Sequence, residues 1–222
     1  YLVIILIGCV LLFPIAWMIS AAFKTNDEIF GSIALMPKSF SFQNFIDGWK
    51  SAGIYTYATY FINSFIMVIP TTLLTIASSA LVAYGFARLR APGKNALFVL
   101  VLATMMLPGW VTLIPQYIMF SKVGWIDTFL PLIVPKFFGS AYLIFMLRQF
   151  YKTLPKDYEE AALIDGANYL GIWARIILPL SLPALGAVAI MSFMFHYQDF
   201  SGPLIYLNSQ NNYTMSLGLQ QF

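Results

Sequence analysis

One histidine and one cysteine leave this sequence little room for chemistry. A serine–histidine–acid set could only be built around His196, with Asp199 three residues on. That histidine ends an apolar run, a place that favours a hydrogen-bonded or snorkelling side chain over a catalytic one. Cys9 alone excludes an intrachain disulfide and a cysteine zinc cluster, and a lone histidine leaves no pair for a metal. The phosphate loop of nucleotide hydrolases is absent, because Gly93-Lys94-Asn95 lacks both the leading glycine and the hydroxyl. No residue is therefore assigned to catalysis or to a metal, and the chain is expected to bind no cofactor.

What the residue types can do is mechanical. The stretch Glu159-Glu160-Ala161-Ala162-Leu163-Ile164-Asp165-Gly166 is followed ten residues later by Ile176-Ile177-Leu178-Pro179. Pro155 suits a first helical turn, where its missing N–H is unpaired anyway. Asp157, Glu159 and Glu160 lie near the positive end of that helix. Ala161-Ala162 forms a flat shoulder that another surface can approach. Gly166 can adopt the left-handed conformation that ends a helix, and Asn168 can cap the next one. The spacing predicts helix, sharp turn, helix. An amphipathic helix lying on a membrane is the competing reading, but it has no need of the glycine and the distant Leu-Pro in register.

The elements that must hold this unit are apolar. The 222 residues are 60% hydrophobic and 9% charged, with mean hydropathy +0.78. A soluble domain carries about 25% charged residues. Residues 1–23 carry no charge and are long enough to span a bilayer. A signal peptide would need a basic start, whereas this sequence opens on Tyr1-Leu2-Val3-Ile4, which suggests a trimmed N-terminus. Residues 24–50 read as a polar loop. The uncharged run 51–87 exceeds one span, so its tyrosine-rich start reads as an interfacial entry to a span over 61–87. Asn63-Ser64 and Ser78-Ser79 suit close helix contacts, and Pro70 is a candidate kink. Further spans are expected over 96–121, 129–147 and 176–198, with the polar helical loop at 153–175.

Charge placement gives a topology. Arg88, Arg90, Lys94, Arg148, Lys152, Lys156 and Arg175, seven of the twelve basic residues, fall in two loops expected inside. Residues 24–50 and 199–222 are then expected outside. Nothing suggests nucleic acid, since no basic run is interleaved with aromatics.

Glu160-Ala161-Ala162, three residues, Gly166, nine residues and Ile176-x-Leu178-Pro179 resemble the EAA loop of ABC importer permeases. The resemblance extends through Asn63-Ser64, Ala83-Tyr84-Gly85-Phe86-Ala87-Arg88, Gly93-Lys94, Ile114-Pro115, Leu147-Arg148-Gln149-Phe150, Phe200-Ser201-Gly202-Pro203-Leu204 and Leu217-Gly218-Leu219. These look like the permeases of carbohydrate ABC importers, in particular the shorter, maltose-type partner subunit. The chain departs from the pattern at Tyr197-Gln198, where many relatives carry Trp-Asn. The resemblance implies an all-α membrane fold forming a single permease domain over 1–222, five spans visible and a sixth beyond the C-terminus.

It also implies a function. The chain is expected to be the multi-pass inner-membrane subunit of a binding-protein-dependent importer of a sugar or oligosaccharide, working by ATP-driven alternating access. ATP and magnesium would sit in two partner ATPase subunits, and a second permease subunit, a periplasmic solute-binding protein and membrane lipid complete the partners. Glu159, Glu160, Ala161, Ala162, Asp165, Gly166, Leu178 and Pro179 would couple to the ATPase. Candidate pathway residues are Asn63, Gln116, Lys136, Gln198 and Asp199. A secondary transporter or channel not coupled to ATP is the rival class, although no acid lies in the expected spans and no internal repeat is evident.

Lys136 lies twelve residues before Arg148. On a continuous helix that is about 18 Å, past the midplane of a hydrocarbon core about 30 Å thick. It then either faces an aqueous interior or, if Pro135 starts the helix, snorkels to the outer interface. Tyr142 is expected on a different face.

Overall fold

A computed structural model of the chain describes residues 1–50 and 55–221, so part of the expected interfacial entry, residues 51–54, lies outside the described residues. Every regular element among the described residues is helical. Two compact units make up the chain, Tyr1–Thr59 with Leu219–Phe222, and Tyr60–Gly218.

In the first unit, helix Leu2–Ala21 carries no charge and buries none of its residues in the protein. Twenty residues at about 1.5 Å each cover a bilayer core, and a helix apolar all round belongs there. The stretch expected as a loop over 24–50 holds two short helices, Asn26–Gly31 and Gln43–Lys50. It folds around Phe23, whose ring centroid lies 5.4–6.0 Å from those of Phe40, Phe42 and Phe45. Lys24 is fully buried, its ammonium donating to the Ala34 carbonyl and sitting 5.9 Å from the Trp17 ring centroid.

The second unit is built on helix Tyr57–Arg88, which continues unbroken through Pro70. Ser64, Thr71, Thr75 and Ser79 recur at helical spacing along it, and all are buried. Small side chains allow close approach. The Ser79 hydroxyl accepts from the Ser140 N–H at 2.9 Å, and the Ser64 hydroxyl accepts from the Met215 N–H at 2.7 Å. Gly139 (φ +77°) lies so near the long helix that a Cβ there would stand 3.1 Å from the Ser79 hydroxyl. One apolar cluster joins Ala80, Ala83 and Tyr84 to Leu143, Leu147, Tyr151, Ile172 and Val188; another joins Met67 and Val68 to Phe120, Leu132, Tyr206 and Leu207.

Among the described residues three helices are long and apolar enough to span, Leu2–Ala21, Tyr57–Arg88 and Leu130–Thr153, and counting each of two bent pairs as one span brings the number to five. Three expected spans are thus interrupted. The span expected over 96–121 is Lys94–Thr104 and Gly109–Lys122, bent by 92°. Pro108 is extended there (ψ 128°), and residues before a proline avoid the helical region. The span expected over 176–198 contains a bend of 81° between Tyr169–Leu180 and Leu182–Tyr197. Pro183 has no N–H to continue the ladder across that bend. The span expected over 129–147 is a helical turn Leu130–Ile133, a 3-10 turn Val134–Phe138, the Gly139 break and helix Ala141–Thr153.

Candidate functional site: a polar loop and a lined cavity

The loop forms as its residues dictate. Helix Asp157–Ile164 starts after Lys156, two residues past Pro155, with Asp157, Glu159 and Glu160 in its first turn. Asp165 closes it, and Gly166 follows at φ +82°. The Asn168 side chain then accepts from the Gly171 N–H at 2.7 Å and caps helix Tyr169–Ile172. Trp173–Ile177 is a π-helical turn, which leads into Leu178–Leu180.

The two faces of helix Asp157–Ile164 differ. Glu159 turns inward: its Oε1 lies 2.9 Å from Arg88 Nε, with 12% and 4% of the two side chains exposed. The N–H is not aligned on the carboxylate, so this is an ion pair rather than a good hydrogen bond. Arg88 also donates from Nη2 to the Leu154 carbonyl at 2.6 Å, tying the loop to the end of the long helix. Burial pushes the Glu159 carboxyl above its usual range, against the pull of Arg88 and Lys156. Ala162 and Leu178 pack against the apolar cluster at Tyr84 and Tyr151. Glu160, Ala161, Asp165, Gly166 and Pro179 are exposed. Of the eight residues expected to couple, three therefore serve the chain's own packing face and five present a surface.

The second constellation comes from four distant stretches. A cavity of about 460 Å³ is lined by Thr75, Lys136, Ser140, Tyr142, Ser192 and His196, among others. A second, of about 240 Å³, is lined by Thr71, Gln116, Lys136, His196, Asp199 and Tyr206, among others. Lys136 and His196 belong to both. The Lys136 ammonium makes no hydrogen bond or ion pair among the described residues, and the buried Ser192 hydroxyl has no partner. His196 Nε2 stands 3.5 Å from the Thr75 hydroxyl. Asp199 faces the second cavity while its Oδ1 accepts from the Gly202 N–H at 3.1 Å.

Gln116, Lys136 and Asp199 are thus brought together, and Asn63 and Gln198 are not. Asn63 donates to the Asn211 and Tyr213 carbonyls at 2.6 and 3.0 Å, and Gln198 is exposed at a helix end. The continuous-helix placement of Lys136 gives way to the 3-10 turn that aims it inward. Tyr142 lines the same cavity instead of lying apart, because the Gly139 break resets the helical phase. Thr75, Ser140, Ser192 and His196 were not among the expected pathway residues. The signal for Thr75 was its spacing with Ser64, Thr71 and Ser79 in an otherwise apolar helix.

A bundle of apolar helices carrying an exposed, capped polar loop and a polar-lined cavity is an architecture suited to a transport permease. Residues 76–222 match the family described as the binding-protein-dependent transport system inner membrane component, and the chain belongs to it. It is 34% identical over 211 residues to the probable ABC transporter permease protein YurM of Bacillus subtilis, covering 95% of this chain and 69% of that one. It is also 34% identical over 211 residues to the arabinooligosaccharides transport system permease protein AraQ of the same organism, covering 94% and 74%. The diacetylchitobiose uptake system permease protein NgcG of Streptomyces coelicolor is 29% identical over 220 residues, covering 99% and 72%. In fold it matches a crystal structure of a bacterial ABC transporter involved in the import of the acidic polysaccharide alginate. That match has a TM-score of 0.87 at 18% identity and covers 99% of this chain and 77% of that one. The chain is a multi-pass inner-membrane permease subunit of a binding-protein-dependent ABC importer, and it works with other components of such a system.

Proposed function

We propose that this permease conveys a sugar or oligosaccharide and takes its drive from two ATPase subunits, one of which docks on the loop around Glu160. The observation that carries the coupling role is the division of helix Asp157–Ile164 into a locked face and a free one. Glu159, Ala162 and Leu178 fix the helix to the bundle; Glu160, Ala161, Asp165, Gly166 and Pro179 offer it to a partner. A rigid helix between a capped turn and the Arg88 ion pair passes on a push without bending. Movement of the docked ATPases would swing the attached helices and alternate access to the pathway. ATP and magnesium belong to the ATPase subunits in this reading, and this chain binds no cofactor. A second permease subunit and a periplasmic solute-binding protein complete the assembly, with the loops 88–94 and 152–175 on the cytoplasmic side.

The substrate class is supported by the relatives that carry arabinooligosaccharide and diacetylchitobiose in their names. It is also supported by the chemistry of the cavity. Lys136 and Ser192 offer unused donors and Asp199 an acceptor, a mixture that matches hydroxyl groups, which both donate and accept. The coupling role is tested in proteoliposomes holding the whole importer. Glu160→Lys should lower ATP hydrolysis stimulated by the loaded solute-binding protein about tenfold, the scale of one reversed interfacial charge. Wild-type stimulation in that variant overturns the coupling role.

A further inference from the structure

The least compensated charge in the second unit lies away from both constellations. A concave pocket of about 310 Å³ is lined by Arg90, Ala91, Gly93, Lys94, Asn95 and Ala96. Arg148 and Lys152, on helix Ala141–Thr153 packed beside it, are close enough for their charges to act on the Lys94 ammonium. Among the described residues the one ion pair is Arg88–Glu159, so none of these four cations has a carboxylate within 4.0 Å. Two are partly committed. Lys94 gives one donor to the Leu89 carbonyl at 2.5 Å, and Arg148 lies 3.8 Å over the Phe98 ring centroid. Arg90 and Lys152 are exposed, and neither head group makes a hydrogen bond or ion pair among the described residues.

Directly beyond the pocket the surface is apolar. Gly93, Leu97, Leu100 and Thr104 follow one another at helical spacing, so they form one stripe along helix Lys94–Thr104. Leu97 is 56% and Leu100 62% exposed. Leu100 stands about 10 Å along the axis from Gly93, at about 1.5 Å per residue. Cations at the foot of an apolar stripe, at the end of a membrane-spanning segment, match a molecule with an anion at one end and hydrocarbon at the other.

We propose that this pocket binds the phosphate headgroup of an anionic phospholipid, with an acyl chain lying along Leu97 and Leu100. Arg90 and Lys152 supply the hydrogen bonds, while Lys94 and Arg148 supply field. A free phosphate would use the cations and leave the stripe bare. An acidic protein surface would neutralise the cluster but has no use for two leucines at membrane depth.

The test is native mass spectrometry of the whole importer, exchanged into mixtures of phosphatidylglycerol and phosphatidylcholine with identical chains. Each cation near an anionic headgroup changes affinity about fivefold, so wild type should retain phosphatidylglycerol in preference and Arg90→Gln/Lys152→Gln should lose about 25-fold of that preference. Leu97→Ala/Leu100→Ala should weaken retention of both lipids at unchanged headgroup preference. Equal retention of the two lipids by wild type, or an undiminished preference in Arg90→Gln/Lys152→Gln, overturns the proposal. Complete displacement of the lipid by inorganic phosphate at matched concentration makes the site a free-anion site and overturns it too. Loss of the ATPase subunits from the double-charge variant, with its lipid retained, assigns the cations to protein contact instead. If the double variant does not assemble, Arg90→Gln alone, on an exposed turn, gives the same reading at about fivefold.

Discussion

The polar loop and the lined cavity are built in opposite ways. The loop is almost wholly local: first-turn acids, a positive-φ glycine, an asparagine cap and a helix within 25 residues of chain. The two cavities take Thr75, Gln116, Lys136 and His196 from four segments, and three of those segments belong to spans interrupted by a break. A local device tolerates changes in the rest of the fold but fails at a single dihedral angle. An assembled one spreads its requirements over many contacts, so single changes there should act by degrees.

Gly166→Val should break the comparison hardest. No atom lies within 4 Å of a Cβ built there, so space is not the obstacle. The cost is the φ of +82°, about 1–2 kcal/mol for an ordinary residue and more for a β-branched one. Coupled ATP hydrolysis should fall about tenfold or further, while membrane insertion is unchanged. Gly166→Asn, which tolerates that conformation, should keep most of the coupling. Equal loss in both variants means the dihedral angle is not what matters.

The cavity should respond less steeply. Lys136→Met keeps length and removes the charge and its donors. One hydrogen bond from a charged donor is worth about 1.5–3 kcal/mol, so the apparent KM for transport should rise about tenfold with ATPase coupling intact. Unchanged uptake kinetics at normal expression would show that the lysine touches no solute.

Glu159→Gln probes the joint between the two regions. It removes a buried partner of Arg88, which keeps its bond to Leu154. The stability loss should be about 1–3 kcal/mol, with coupling reduced only a few-fold. Removing both partners in Arg88→Gln/Glu159→Gln should cost less than the sum of the single changes. Strict additivity in thermal unfolding of the reconstituted subunit would show that the two side chains do not interact.

The smallest effect belongs to an exposed clasp outside both regions. Asp127, at φ +65°, accepts from the Asn208 and Ser209 N–H groups at 2.9 and 2.8 Å. Burial pushes its pKa up, but the bonds from Ser209, Asn208 and Asn212 together outweigh that and hold it at about 2. A depressed carboxyl contributes stability above its unfolded value of 3.8 and loses it as pH falls towards about 2. Amide protection at Asn208 and Ser209, taken relative to the intrinsic exchange rate at each pH, should therefore fall over that window, and in Asp127→Asn it should be low already at neutral pH. Protection in wild type that does not change with pH removes the clasp.

Much of this was legible in residue order. The 1–23 span, the turn at Gly166 and the Asn168 cap depend on neighbours within one or two turns, and they stand where the sequence puts them. Ser64 and Ser79 were marked as close-contact residues for the same reason, since small side chains let backbones approach whatever comes. The bends at Met105–Pro108 and Ser181 do not follow from their prolines alone. A proline only permits a break, and Pro70 sits inside an unbroken helix. Whether the chain bends depends on what packs beside the freed carbonyl.

Composition and spacing alone determined that this is a membrane helix protein with a capped polar loop. Apolar length sets bilayer solvation, and capping chemistry acts over a few residues. Only the tertiary structure decided that Glu159 turns inward while Glu160 does not, and that Tyr142 and His196 share a cavity with Lys136. Those outcomes follow from helix phase after a break and from which side chain a distant arginine meets, and both are properties of packing.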